Sequence, residues 1–149
     1  MRILIDGDGC PGRKIIEKVA REFQIPLFLY CDIHHSITLE YGEVKYLDSG
    51  FQSVDIFLAN VTKKGDVVVT GDYGLASMIL AKEAIPVNPK GMVYNKDNID
   101  RLLMERHISA KVRRGGGKTT NHKKRTKEDD DNLYKALKNI VQNIVQTKI

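Results

Sequence analysis

The stretch that most constrains the fold is Ile3-Leu4-Ile5-Asp6-Gly7-Asp8-Gly9. A short apolar run stops there at two aspartates, spaced one residue apart and interleaved with glycine. A run that is apolar at every position, not at alternate ones, reads as a strand buried on both faces. That is the pattern of a parallel sheet covered by helices. Cys10-Pro11-Gly12 follows, and the expectation is a helix with Pro11 at its first position, where a missing N–H costs nothing. Strand, acidic turn and helix form the first half of a βαβ unit. Ligands of open α/β sheets collect at the carboxyl ends of the strands, where Asp6 and Asp8 fall. Two carboxylates so close repel unless a cation or a proton intervenes, so a divalent metal is the economical expectation.

The rest of the chain repeats the alternation. Ile15, Ile16, Val19, Ala20 and Phe23 recur at helical spacing, with Arg13, Lys14, Glu17, Lys18 and Arg21 as the polar face. Pro26 ends that helix, and Leu27 to Cys31 reads as a strand. An irregular stretch with His34 and His35 leads to a short strand at Val44 to Leu47. Ser53 is the expected N-cap of a helix carrying Val54, Phe57, Leu58 and Val61, closed by Gly65. Val67-Val68-Val69-Thr70 is a second fully buried strand, and Asp72 caps the helix after it. Ile85-Pro86-Val87 reads as a strand near an edge, because Pro86 cannot donate to a ladder. Asp97 or Asn98 is expected to begin a helix with Ile99, Leu102 and Leu103. The whole predicts one α/β domain over 1–149, a three-layer αβα arrangement with a mainly parallel central sheet.

Two of these strands end in acid, at Asp6 and Asp72, and parallel strands share one carboxyl edge. Asp55, in the first turn of the helix that leads to the Asp72 strand, approaches from the flank. Asp is common as a helix N-cap and at strand ends, so each acid alone is ordinary. Together with Asp8 they read as a functional acidic cluster. Such carboxylates suit one or two Mg²⁺ or Mn²⁺ ions and the hydrolysis of a phosphodiester.

The segments Leu4-Ile5-Asp6-Gly7-Asp8, Val54-Asp55-Ile56 and Val69-Thr70-Gly71-Asp72 resemble the acidic skeleton of PIN-like and NYN-type nuclease domains. More closely, the chain resembles the bacterial YaiI/YqxD family, which is placed in that superfamily. The matching pieces are Asp6-Gly7-Asp8-Gly9-Cys10-Pro11, Thr70-Gly71-Asp72-Tyr73-Gly74-Leu75-Ala76 and Arg114-Gly115-Gly116-Gly117-Lys118-Thr119. The resemblance implies a PIN-like fold, with Asp6, Asp8, Asp55 and Asp72 facing the metal. It adds Asp129, in Thr126-Lys127-Glu128-Asp129, as a further metal candidate. Two departures stand out. PIN-like sites often carry another acid two residues after the Asp72 position, where this chain has Gly74. The segment after the glycines, Thr120 to Thr126, lacks the family's usual Gly-Pro and Phe-Thr.

Between Lys111 and Lys127 the chain turns Gly-rich and basic, and reads as a loop over about 111–127 before a C-terminal amphipathic helix over about 128–147. Gly115-Gly116-Gly117-Lys118-Thr119 is not a P-loop, because Val112 stands where the first glycine belongs and no strand precedes it. Arg113, Arg114, Lys118, Lys123, Lys124 and Arg125 are instead candidates to contact the phosphates of RNA. The net charge of +5 permits a polyanionic partner. Two cysteines, Cys10 and Cys31, make no disulfide framework, and Cys10 reads as a small buried residue and not a nucleophile. The histidines show no zinc spacing. No apolar run reaches membrane-spanning length, so a cytoplasmic location is expected.

The leading expectation is a Mg²⁺- or Mn²⁺-dependent ribonuclease, or a nuclease-like RNA-binding domain. One alternative is a haloacid-dehalogenase-like phosphatase using Asp6 and Asp8, with Thr70 holding phosphate. A second is a non-catalytic PIN-like binding module, which the glycine at 74 would suit.

Overall fold

A computed structural model describes residues 1–7, 10–34, 36–48, 53–114 and 124–147, the side chains of 109–110, 112–114 and 145–147 excepted. Elements follow in the order β1 (Ile3–Asp6), α1 (Arg13–Glu22), β2 (Leu27–Asp32), β3 (Glu43–Leu47) and α2 (Val54–Val61). Next come β4 (Val67–Val69), α3 (Tyr73–Ala81), β5 (Ile85–Val87), α4 (Lys96–Arg114) and α5 (Lys127–Thr147). The five strands form one sheet in the order β3-β2-β1-β4-β5. Every neighbouring pair is parallel. The chain therefore builds outward from β1 in one direction, returns, and builds outward from β4 in the other. Such a reversal leaves a crevice between the carboxyl ends of the two central strands.

Both faces of the sheet are covered, which is why β4, and β1 up to its terminal Asp6, are apolar. Ile3, Ile5, Val67 and Val69 face α1 and α5, packing with Ile16, Val19, Leu133, Leu137 and Val141. Leu4 and Val68 face the other way, onto Leu58 of α2 and Leu75 and Ile79 of α3. α4 lies outside α3, joined through Ala76, Tyr94 and Ile99. This is a three-layer αβα domain. Pro86 stands in the edge strand β5, as its missing donor requires.

α5 is integral to the core. Leu133, Leu137 and Val141 are fully buried, and burying three such side chains stabilises the fold by roughly 5–9 kcal/mol. That is the scale of a small domain's whole net stability.

Three boundaries differ from those expected. Pro11 does not open α1: the helix starts at Arg13, with Gly12 as its N-cap at φ 90. Glycine adopts that left-handed φ without penalty, and it is also what fits, since a Cβ on Gly12 would lie 2.5 Å from Arg125 Nη2 and 2.9 Å from Leu133 Cδ2. α4 starts at Lys96, because Asn95 and Asn98 cap each other's backbone N–H, both at 2.8 Å. It also runs on to Arg114, so 111–114 is helix and not loop. Lysine, valine and arginine do not break a helix, and the first glycine of the run is Gly115.

The β2–β3 connection is unusual. Parallel neighbours usually need a helical crossover, yet residues 33–42 return without one. A buried carboxylate holds them: Glu17 Oε1, on α1, accepts the backbone N–H of Glu40 at 2.6 Å and of Tyr41 at 3.1 Å.

Candidate functional site

Asp6 is the last residue of β1, and the pairing of Ile5 with Val69 sets it beside Thr70, the residue after β4. The Thr70 hydroxyl donates to Asp6 Oδ2 at 2.9 Å and accepts the Asp72 backbone N–H at 3.0 Å. One fully buried hydroxyl thus ties the two acidic strand ends together. Asp72 caps α3 as expected: its Oδ1 accepts from the N–H of Gly74 at 2.9 Å and of Leu75 at 3.3 Å. The crevice at the strand-order reversal therefore has Asp6 on one side and Asp72 on the other.

Behind this pair the polar atoms continue inward. The Tyr94 hydroxyl donates to the Thr70 carbonyl at 3.2 Å and accepts from Asn88 Nδ2 at 3.1 Å. Burial pushes the Tyr94 phenol up, the Asn88 bond opposes that, and the neighbouring Tyr73 and Asp72 add to it. The Cys10 thiol is pushed up to about 12, first by burial and then by the charge of Asp6, against the pull of Arg125 and Arg13. Cys10 is therefore a neutral buried thiol at ordinary pH, not a nucleophile.

The other sequence candidates fall in several places. α2 carries the chain from the end of β3 back to the start of β4, so its first turn, with Asp55, stands at the same carboxyl edge. Asp8 lies outside the described residues. Among those described, no group of three or more His, Cys, Asp or Glu is placed to hold a metal ion. Asp129 forms a capping box with Thr126: its Oδ2 accepts the Thr126 N–H at 2.9 Å, and its own N–H donates to Thr126 Oγ1 at 3.3 Å. The Thr126 N–H holds its carboxyl below the usual carboxylate range, with Lys90 and Arg125 adding to the effect.

Lys118, Lys123 and the glycine run lie outside the described residues, as do the side chains of Arg113 and Arg114, whose backbone is in α4. Lys124 is exposed. Arg125 is committed to the fold. Its Nε pairs with Asp130 at 2.8 Å, its Nη1 donates to the Pro89 carbonyl at 2.7 Å, and its Nη2 is shut from solvent with no hydrogen-bond partner among the described residues.

Comparison with known proteins agrees with the resemblance read from the sequence. Residues 4–143 match the model of the family described as "Uncharacterized BCR, YaiI/YqxD family". The chain belongs to the YaiI/YqxD family. The "UPF0178 protein" of Clostridium perfringens (strain SM101 / Type A) is 51% identical over 144 residues, covering 97% of each chain. That of Clostridium tetani (strain Massachusetts / E88) is 56% identical over 114 residues, 76% of this chain and 78% of the relative. No solved structure matches.

In this YaiI/YqxD chain, sequence reasoning missed the joining role of Thr70. A threonine at the end of a strand is ordinary, and its partner Asp6 is 64 positions away. The available signal was the parallel alignment of two buried strands, each followed by acid, which brings Thr70 next to Asp6. Among the described residues no helix is long and apolar enough to cross a membrane.

Proposed function

We propose that the chain is a PIN-like, divalent-metal-dependent nuclease domain acting on single-stranded RNA. The observation that carries this reading is the Asp6–Thr70–Asp72 connection at the strand-order reversal. It holds two carboxylates in a fixed relation at the position where open α/β sheets bind their ligands. Mg²⁺ keeps several waters and takes one or two protein carboxylates together with substrate phosphate oxygens. Asp6 and Asp72 meet that requirement in donor type and number, with Asp55 at the same edge. A cation held there would supply positive charge against the negative charge developing on the phosphodiester oxygens and would acidify the attacking water.

The residues of the chain do the positioning. Thr70 fixes the Asp6 carboxylate through Oδ2, and the α3 cap fixes Asp72 through Oδ1. The phosphatase alternative requires the Thr70 hydroxyl to hold phosphate, but that hydroxyl is buried between Asp6 and the Asp72 N–H. One feature favours the non-catalytic binding module. Gly74 lacks an acid, and a Cβ there would crowd Asp72 Oδ1 at 3.3 Å.

Titration with Mn²⁺ and incubation with RNA test the proposal. Asn is as good an N-cap as Asp, so Asp72→Asn should fold normally. Wild-type protein should bind Mn²⁺ and melt at higher temperature in its presence. Asp6→Asn and Asp72→Asn should both respond less. Wild-type protein with Mg²⁺ or Mn²⁺ should cut single-stranded RNA slowly and leave a small phosphomonoester nearly untouched. Equal Mn²⁺ affinity in all three proteins would overturn the metal site. Brisk phosphomonoester hydrolysis abolished by Asp6→Asn, with RNA intact, would replace the nuclease by the phosphatase.

A further inference from the structure

α1 leads away from the acidic edge, and its exposed side carries Arg13, Lys14, Lys18 and Arg21. Lys14, Lys18 and Arg21 are spaced by four and three residues, which sets them in one stripe. Two depressions of about 420 Å³ each flank this helix and share Arg13 and Lys14. One opens beside Cys10 and Arg125; the other lies between the stripe and the β2–β3 connection at Thr38 and Glu40. They adjoin at Arg13 and Lys14 and together make a channel along the helix from its first turn.

The charge balance in this channel is uneven. Of the acids lining it, Glu17 is spent on two backbone N–H groups, Asp130 on Arg125, and Glu40 on a loose 3.7 Å pair with Arg21. Arg13 and Lys14 have no ion pair among the described residues. Lys18 has its ammonium 4.8 Å from the centre of the Tyr134 ring and makes no ion pair among the described residues. The first turn of α1 holds no acid, although acids stabilise that end of a helix and cations do not. Two cations without an ion pair among the described residues thus stand where the helix itself would favour the opposite charge, and a bound polyanion removes that conflict.

We propose that this channel is a phosphate track. It takes the sugar–phosphate backbone of single-stranded RNA and leads it to Asp6 and Asp72, with Arg13, Lys14 and Lys18 as the contacts. The inference rests on the nuclease reading for its choice of polyanion and extends it to a surface outside the basic segment at 113–125. A strand held by its phosphates is gripped without regard to sequence, and its affinity falls steeply with salt.

The test is fluorescence anisotropy of a short labelled oligouridylate with the full chain in metal-free buffer, across a salt series. Arg13→Gln/Lys14→Gln removes two contacts. Lys63→Gln/Lys64→Gln removes the same charge at the amino edge, before β4, and serves as control. The track predicts at least a tenfold affinity loss for the first variant and little for the second. The plot of log affinity against log salt should flatten by about 0.7 per lost contact. Lys18→Gln should flatten it by one further step. Equal losses in the two double variants would overturn the track, leaving only net charge. Binding of phosphatidylserine vesicles through Arg13 and Lys14, with RNA ignored, would overturn it in favour of a lipid surface. Because the binding is read without metal, it is separate from cleavage: a protein that binds RNA through α1 in this buffer yet fails to cut it once Mg²⁺ or Mn²⁺ is supplied upholds the track and refutes the nuclease.

Discussion

Thr70 gathers more of the site onto one side chain than any acid does. Its hydroxyl has one proton and uses it on Asp6, while its lone pair satisfies the N–H of the residue that caps α3. Valine keeps the shape and removes both bonds, leaving the partly buried Asp72 N–H without its partner. Such a loss costs about 1–3 kcal/mol. Serine keeps the hydroxyl and loses one methyl group, worth about 0.8 kcal/mol. Urea midpoints should therefore fall in the order wild type, Thr70→Ser, Thr70→Val, and Mn²⁺ affinity should fall with them. A Thr70→Val protein with unchanged Mn²⁺ affinity would mean that Asp6 needs no positioning. Glu17 shows the same limit of residue-by-residue reading. In sequence it belongs to the polar face of α1, yet it is buried and holds a connection more than twenty positions away.

Among the elements, the contact between α1 and α5 turns on Gly12. Alanine there faces a left-handed φ, costing roughly 1–2 kcal/mol, and displaces either Arg125 or Leu133. Gly12→Ala should lower the urea midpoint clearly, and less so in an Arg125→Ala background, where the nearer obstacle is gone. Additive effects in that double-mutant cycle would show that the backbone alone is strained. The elements that were legible in the sequence were those whose cause is local. β1 and β4 declared themselves by unbroken apolar runs, and α3 by an aspartate before its apolar face. The entry into α1 was misread, because what fixes Gly12 is an arginine 113 positions later. The helical end of α4 was hidden by composition, since charge alone does not distinguish a solvated helix from a loop. Asp6 and Asp72 were found as candidates because strand order and acid placement are both written locally. Their connection through Thr70 was not, because it exists only once β1 and β4 pair.

At the scale of the molecule, α5 covers a face of the sheet that α1 does not close alone. A chain ending after Arg114 would leave Ile3, Ile5, Ile16 and Val19 without Leu133, Leu137 and Val141. The loss approaches the net stability of such a domain. This truncation should show no cooperative urea transition and should bind a hydrophobic dye. A sharp transition would reduce α5 to an accessory. The sheet order carries a consequence in time as well. β1 is made before the other described elements and sits at the centre of the sheet, with β2 on one side and β4 on the other. Its second neighbour is some sixty residues downstream, and α5, the last of the described helices to be made, is the one that shields its α1-facing side. Through most of translation the strand that holds Asp6 is therefore an unfinished hydrophobic surface. The nascent chain would depend on chaperones for as long as α5 is unmade.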